Sequence, residues 1–187
     1  MSECVVVPKS DWQEILDAVR YGTGDSELLR SGEVASEIEE FSTTIDGVLD
    51  GSIQHFKNSR LTSIRQFAFM RSQDIKTVVL PNITSIPTQS FAQCKSLEKA
   101  DFSSIIEIAA NAFTSSSALT TLIIRTNTVC NLSVSTAIAG TPIYNCQGYI
   151  YVPAALVDEY KQATNWTLFA DYIRAIEDYP EITGGAI

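Results

Sequence analysis

Hydrophobic residues recur with a period of 22 between Leu61 and Ile124, where three blocks of one pattern follow each other without a gap. Each block opens with two aliphatic residues three positions apart, places a phenylalanine near its middle and ends in alternating apolar positions. The phenylalanines are Phe69, Phe91 and Phe113. A fixed period of this length predicts a solenoid, in which each coil buries its apolar side against its neighbours.

The end of each block has the spacing of a short strand. In the first block, Val78 and Leu80 are expected in the core and Thr77 and Val79 outside it, because successive side chains of a strand point to opposite faces. The phenylalanine is expected in a tight turn between strands, stacked on those of the adjacent coils. Leu/Ile spacing of this kind over 20 to 29 residues is the signature of leucine-rich repeats. The predicted fold class is therefore α/β, a short leucine-rich-repeat solenoid with parallel strands.

Residues 1–44 are predicted to form a helical N-terminal segment. Ser10 is a good N-cap for a helix, and Gln13 three residues later completes a capping box. The solenoid is predicted over residues 45–145. Its first repeat is expected to be irregular, because a terminal coil must cover the open end of the stack.

Residues 146–187 are predicted to form a helical C-terminal cap followed by a tail. The register slips after Ile124, and the polar, small-residue stretch Ser133–Asn145 is expected to be a loop. A last strand is predicted at 149–152, followed by a short helix around Leu156 and Tyr160. A second helix is predicted to carry Trp166, Phe169, Ile173 and Ile176. From Asp178 onward the chain is expected to be a frayed tail.

Charge and hydropathy exclude two classes of partner. The formal net charge is −9, and no cluster of Lys and Arg provides the footprint of a nucleic-acid-binding protein. No run of 18 apolar residues is present, so membrane insertion is not expected. The first residues lack the basic n-region and long apolar h-region of a signal peptide. Two alternatives follow: the chain is a fragment, or the protein leaves its cell by another route, such as a particle released by lysis.

No arrangement of residues in the sequence indicates catalysis. His55 is the single histidine, and no nucleophile elbow accompanies it. One histidine and scattered cysteines do not make a zinc site, and the glycines are not spaced as a phosphate loop or dinucleotide fingerprint. We therefore predict no catalytic residue, no metal and no cofactor, and the protein is not expected to be an enzyme. A hydrolase of unknown class is the least favoured alternative, because a glycosidase needs only two carboxylates.

The cysteines are expected to be structural. Cys94 shares a column with Ser72 and Ser116 in the neighbouring repeats, which predicts a small buried residue. A disulfide between Cys130 and Cys146 is left open, because bridging depends on a geometry that the sequence does not contain.

Recognition is expected on the outward side of the strands. The predicted binding residues are Thr77, Val79, Lys99, Asp101, Thr121, Ile123 and Arg125. Three or four strands about 4.8 Å apart present on the order of 200 Å², whereas a standard interface covers about 800 Å² per partner. The strands alone therefore predict weak binding, which loops or several copies would have to strengthen.

The repeat resembles the BspA-like leucine-rich-repeat family. The residues that carry the resemblance are Ile86, Phe91, Cys94, Leu97 and Phe102 at their spacing along the second block. The stretch 149–166 is similar to the cap that closes such arrays in proteins of gut Firmicutes and their phages. The opening, residues 10–38, is similar to N-terminal segments of phage and prophage structural proteins.

The resemblance implies a non-enzymatic interaction module for protein or glycan recognition, since members of the family are linked to adhesion and host-protein contact. The implied location is extracellular, on a bacterial cell surface or a virion, with a cytoplasmic stage before release. The alternative is a structural component of a phage or prophage particle, assembled as a homo-oligomer through the N-terminal helices. The family shares no catalytic residues.

Overall fold

The computed structural model describes residues 54–182, and the predicted N-terminal segment 1–44 lies outside them. Six parallel strands form one sheet in the order β1-β2-β4-β6-β8-β9, and three form a second sheet in the order β3-β5-β7. The strands are β1 His55–Lys57, β2 Thr77–Val79, β3 Ser85–Ile86, β4 Lys99–Phe102, β5 Glu107–Ile108, β6 Thr121–Ile124, β7 Asn131–Leu132, β8 Tyr149–Val152 and β9 Ile173–Ala175. The chain alternates between the sheets from β2 to β8, so each of these coils contributes one strand to each sheet.

Strand pairing in the larger sheet follows the period of the sequence. Thr77 pairs with Lys99, and Lys99 pairs with Thr121, always in parallel. The side chains one position later are fully buried: Val78, Ala100, Leu122 and Ile150. The predicted parallel strands and inward columns are confirmed, and the arrangement fits an α/β repeat fold.

The predicted column of phenylalanines forms a continuous stack through the core. The ring centroids of Phe69 and Phe91 are 4.8 Å apart with an interplanar angle of 8°. Those of Phe91 and Phe113 are 5.2 Å apart, also at 8°. Phe102 on β4 contacts this stack from the side, with its centroid 6.4 Å from that of Phe91. Stacking at one ring per coil therefore confirms that each repeat buries its aromatic residue above the previous one.

Ser72, Cys94 and Ser116 form the predicted buried column beside the stack. Cys94 Sγ donates a hydrogen bond of 2.9 Å to the carbonyl of Phe69, and Ser116 Oγ donates one of 2.6 Å to the carbonyl of Phe91. Burial raises the pKa of the Cys94 thiol to about 12. The column is small and polar because its side chains satisfy turn carbonyls inside a close-packed interior.

Replacing Cys94 by serine is expected to change the free energy of unfolding by less than about 1 kcal/mol at neutral pH, because a serine hydroxyl can make the same bond. The thiol pKa rises from 9.0 to about 12 on folding. The thiol therefore contributes stability that is present below pH 9 and lost as the pH rises toward 12. Urea denaturation in steps across this window should show a smaller alkaline loss for Cys94→Ser than for the wild type. Equal losses of stability for the wild type and Cys94→Ser would contradict the raised pKa of the buried Cys94 thiol.

Each of the three coils between Leu61 and Ile124 contains two backbone positions in the left-handed region, four residues apart. In the second repeat these are Gln89 and Gln93, with φ of 59° and 60°. The set in these coils is Phe67, Arg71, Gln89, Gln93, Asn111 and Ser115, and Gly140, Cys146 and Asn165 also lie in this region. Left-handed conformations strain residues other than glycine. The hydrogen bonds between coils that offset this strain include one of 2.8 Å from the N–H of Phe91 to the carbonyl of Ala112.

A fourth coil follows Ile124, at the stretch Ser133–Asn145 that the sequence predicts to be a loop. The N–H of Phe113 donates a 2.8 Å bond to the carbonyl of Ala137, repeating the bond between Phe91 and Ala112 one coil earlier. A 3-10 helix at Ser135–Ile138 closes the turn. Ile138, fully buried, takes the place of the phenylalanine.

The predicted loop is confirmed in part: outside Ser135–Ile138 the stretch 133–145 consists of turns and irregular structure, but it packs as a coil. Insertions change the spacing of this coil without changing its packing. Asn131 pairs with Glu107, 24 positions earlier, and Tyr149 pairs with Thr121, 28 positions earlier. The extra residues lie between the buried positions, so the apolar side chains still face the core.

After β8 the chain folds over the end of the last coil. The predicted first helix is confirmed as α1, Val157–Gln162. The N–H of Cys130 donates to the hydroxyl of Tyr160 over 2.8 Å, and Trp166 Nε1 donates to the carbonyl of Cys130 over 2.7 Å. Asn165 Nδ2 donates to the carbonyl of Leu132 over 2.7 Å. These side chains give hydrogen-bond partners to the backbone edge of the fourth coil, which is the last coil within residues 54–182.

The predicted second cap helix is wrong. Residues Thr167–Tyr172 form a 3-10 helix, and a further 3-10 helix spans Ile176–Asp178. Between them lies β9, which pairs in parallel with β8. An uncovered β8 would present a row of unpaired N–H and C=O groups, and β9 supplies their partners.

Candidate functional site

The outward side chains of the larger sheet form two rows that cross the strands, together called the outer face. The first outer row runs through His55, Thr77, Lys99, Thr121 and Tyr149. The second outer row runs through Lys57, Val79, Asp101, Ile123, Tyr151 and Arg174. Because the strands are parallel and in register, residues of one row lie side by side.

The seven predicted binding residues lie on the outer face or directly beside it. Four of them are half-buried there: Thr77, Val79, Lys99 and Thr121. Asp101 and Ile123 lie in the second outer row as predicted, but they are only 6% and 0% exposed. Their predicted exposure is wrong. Arg125 directly follows β6 and is half-buried.

Asp101 and Arg125 form a bidentate ion pair. Arg125 Nε donates to Asp101 Oδ1 and Nη2 donates to Oδ2, each over 2.9 Å. The hydrogen bond to Asp101 raises the pKa of the Arg125 guanidinium. Two parallel charge-assisted bonds hold both side chains in one geometry. The pair therefore stiffens the ends of β4 and β6 and offers a ligand little free charge.

Residues 179–182, here called the C-terminal turn, lie against the outer face and contact both outer rows. The N–H of Ile182 donates to the carbonyl of Tyr179 over 3.1 Å and closes the turn. The ring of Tyr179 packs edge-on against Tyr151, with centroids 5.4 Å apart. Lys99 Nζ donates to the carbonyl of Ile182. The expected frayed tail is wrong for residues 178–182, and the rest of that stretch lies outside the described chain.

Contacts of the C-terminal turn to Tyr151 and Lys99 fall on β8 and β4, the strands on either side of β6. The turn therefore crosses β6, the strand that carries the buried Ile123. Burial also raises the pKa of the Tyr151 hydroxyl, and the neighbouring Tyr179, Tyr149 and Glu181 act in the same direction.

Aromatic side chains gather at the β8 end of the outer face. Tyr149 is 42% exposed, and the guanidinium carbon of Arg174 lies 4.9 Å from the centre of its ring. The rings of Tyr149 and Tyr172 are 6.3 Å apart. A hydrogen bond with Cys146 is the largest cause of a raised pKa at the Tyr172 hydroxyl. This end therefore presents an open ring, held from one side by a cation.

Comparison with known proteins decides the family. The BspA type Leucine rich repeat region matches residues 52–146 in six copies, just over half of the chain. The chain belongs to this family. A search of the curated proteins finds no match.

Membership of the BspA-type leucine-rich-repeat family supports a repeat-based interaction module. Leucine-rich-repeat domains generally mediate protein interactions, and the family is typically non-enzymatic. Within the part of the chain that the structure describes, no helix is long and apolar enough to cross a membrane.

Five residues of the outer face are absent from the predicted binding residues: His55, Lys57, Tyr149, Tyr151 and Arg174. The first two had a signal, because they precede Thr77 and Val79 by one full period. His55 Nδ1 lies 2.8 Å from Thr77 Oγ1. Tyr149 and Tyr151 had no such signal, since the insertions of the fourth coil separate them from Thr121 and Ile123 by more than the period.

The remaining candidate features do not form a catalytic site. An open hollow of about 550 Å³ lies beyond β4 and β6, lined by Ser103, Ser104, Ile106, Arg125, Thr126, Asn127 and Thr128. None of these lining residues is a carboxylate. Across residues 54–182, no group of three or more His, Cys, Asp and Glu side chains is arranged to hold a metal ion. Cys94, Cys130 and Cys146 are free thiols, so the disulfide left open by the sequence is not formed here.

Proposed function

We propose that this protein is a non-enzymatic recognition module that binds a protein partner through its outer face. The observation that carries the proposal is the first outer row, whose residues are all half-buried or exposed, although Lys99 also bonds to the C-terminal turn. Hydroxyl, ammonium and phenol groups of this row are held in register on parallel strands. A rigid backbone allows such side chains to bind without a large loss of conformational entropy.

The size of the face indicates how strongly it binds. Six strands about 4.8 Å apart span about 24 Å. With about 10 Å of strand length, the face presents on the order of 240 Å², compared with about 800 Å² per partner in a standard interface. We therefore expect single-copy affinity in the micromolar range or weaker, strengthened by flanking loops or by several copies.

A glycan is the second candidate ligand, and the exposed ring of Tyr149 favours it. Sugar-binding sites combine an aromatic ring with a few polar groups that fix orientation. Thr121, on the neighbouring strand, pairs with Tyr149 in the first outer row and supplies a hydroxyl. A sugar stacked on Tyr149 would place its own hydroxyls near Thr121.

We propose that the protein acts outside the cell, on a bacterial surface or a phage particle. The support is the resemblance of the opening and of the stretch 149–166 to phage-associated proteins. Mass spectrometry of purified virions and of surface-released proteins from the producing strain tests this location. Recovery only from the cytoplasm would contradict it.

The test of recognition is binding of the full-length protein, immobilised at high density, to purified extracellular-matrix proteins and to a glycan array. Thr121→Arg is expected to weaken any binding at least tenfold, since a long cation would occupy the middle of the first outer row. Ser85→Arg is the matched control. Ser85 is an exposed strand residue of the second sheet, so its replacement adds the same charge away from the outer face.

Two outcomes would contradict the proposal. If both variants bind as the wild type does, the outer face is not the site. If the wild type binds neither the proteins nor the glycans, the recognition function fails.

A further inference from the structure

We infer that the C-terminal turn is a removable cover that regulates access to the middle of the outer face. Its release would join the second outer row to the open first row and so enlarge the binding surface. The regulatory consequence rests on the proposed function. The cover itself rests on the position of residues 179–182 against the outer face.

The covered row has the character of a contact surface. Ile123 and Tyr151 are buried, yet neither belongs to the cluster of side chains that forms the central core. They lie on the opposite side of the sheet, where β4, β6 and β8 would otherwise face water. Apolar groups in such a position are typical of an interaction surface, and the C-terminal turn covers them.

The turn lies on the surface of the fold, because none of its residues is buried: Tyr179 and Ile182 are half-buried, and Pro180 and Glu181 are exposed. Its contacts include the ring of Tyr179 on Tyr151 and the hydrogen bond from Lys99 to the carbonyl of Ile182. Segments with few buried contacts open at much lower free energy than the core of a domain. The C-terminal turn can therefore open while the repeats stay folded.

The chain just before the turn is held more firmly, which places the hinge after Asp178. β9 is paired to β8 along its whole length. Glu177 Oε2 accepts a 2.9 Å hydrogen bond from the N–H of Ala154. Opening would therefore move the C-terminal turn and leave β9 and its sheet in place.

Release of the turn changes the chemistry of the face in a defined way. The Ile123 side chain and the Tyr151 ring become accessible, and the ammonium of Lys99 loses its carbonyl partner. A partner that replaces the turn would supply an apolar or aromatic group to Tyr151 and Ile123 and a hydrogen-bond acceptor to Lys99. The structure thus assigns the second outer row to a protein partner rather than to a sugar.

Nitration of tyrosine in the full-length protein tests the cover, because Tyr149 and Tyr151 lie on one strand and face the same side. In the wild type, Tyr149 should react and Tyr151 should be protected, as their exposures of 42% and 5% imply. Tyr179→Ala is expected to accelerate reaction at Tyr151 at least tenfold and to change Tyr149 less than twofold. Tyr179→Phe keeps the ring and should react as the wild type does. Fragmentation mass spectrometry separates the two sites.

Two nitration results would overturn the inference. An unchanged rate at Tyr151 in Tyr179→Ala would mean that the turn does not protect the row. Equal acceleration at Tyr149 and Tyr151 would mean that the substitution loosens the whole sheet.

Binding measurements then decide the regulation. Tyr179→Ala is expected to bind the proteins captured by the wild type at least fivefold more tightly. Unchanged affinity would overturn regulation by the C-terminal turn while the recognition function stands. If neither the wild type nor Tyr179→Ala binds any ligand, the recognition function fails. The nitration rates alone then support or overturn the cover.

Discussion

Replacing Phe91 by alanine is expected to lower the free energy of unfolding by about 3–5 kcal/mol, the range for removal of a core aromatic side chain. Phe91 is 1% exposed, and its ring lies between those of Phe69 and Phe113 at 4.8 and 5.2 Å. Alanine would leave a cavity with a ring on each side. The neighbouring coils are held apart by their own strand pairing, so they cannot collapse into the space. Urea denaturation followed by circular dichroism measures the loss.

Phe67→Ala is the matched control for this substitution. Phe67 lies in the same kind of turn one coil earlier, but it is 47% exposed. Its replacement is expected to change the free energy of unfolding by no more than about 0.5 kcal/mol. A loss below about 1 kcal/mol for Phe91→Ala, or equal losses for the two variants, would refute a stack of buried rings as the centre of stability.

Replacing Trp166 by alanine is expected to cost about 3–5 kcal/mol as well, but for two combined reasons. Trp166 is fully buried and packs edge-on against Tyr160, with ring centroids 5.4 Å apart. Its Nε1 also donates the 2.7 Å hydrogen bond to the carbonyl of Cys130. Alanine removes the packing and leaves a buried carbonyl without that partner. Thermal and urea denaturation of the full-length variant measure the effect.

Trp166→Phe separates these two contributions. Phenylalanine retains an aromatic ring but cannot donate the hydrogen bond, so about 1–3 kcal/mol should be lost. The expected order of stability is wild type, Trp166→Phe, Trp166→Ala. If Trp166→Ala costs less than about 1 kcal/mol, residues beyond β8 do not stabilise the last coil.

Within the repeats, the local sequence pattern was sufficient to predict the structure. Strand positions, parallel pairing, the stacked phenylalanines and the column containing Cys94 were all predictable, because each coil repeats the same short-range arrangement. The position of His55 followed from the same period, and only the assumption of an irregular first repeat hid it. Where coils are equal in length, the inward or outward direction of a side chain follows from alternation along the strand.

Prediction failed where insertions changed the period of the repeat. It also failed where one spacing of apolar residues fits two different secondary structures. Insertions in the fourth coil removed the period from Ser133–Asn145, although its buried positions persist. The apolar spacing from Trp166 to Ile176 fits a helix, but it also fits a 3-10 helix followed by a strand. The edge of β8 decides between them, because its backbone groups need hydrogen-bond partners. This requirement comes from a strand that is distant in sequence, so the residues from Trp166 to Ile176 do not reveal it.

The amino-acid sequence by itself determined the scaffold: the period, the core columns and the side of the sheet on which each strand residue lies. Only the tertiary structure decided which outward residues are open. Asp101 and Ile123 point outward by alternation, yet Arg125 pairs with the first and the second is fully buried. The physical reason is that direction along a strand is set by neighbouring peptide units. Exposure is set by whatever distant segment packs there, and here residues 179–182 contact Tyr151 on β8 and Lys99 on β4.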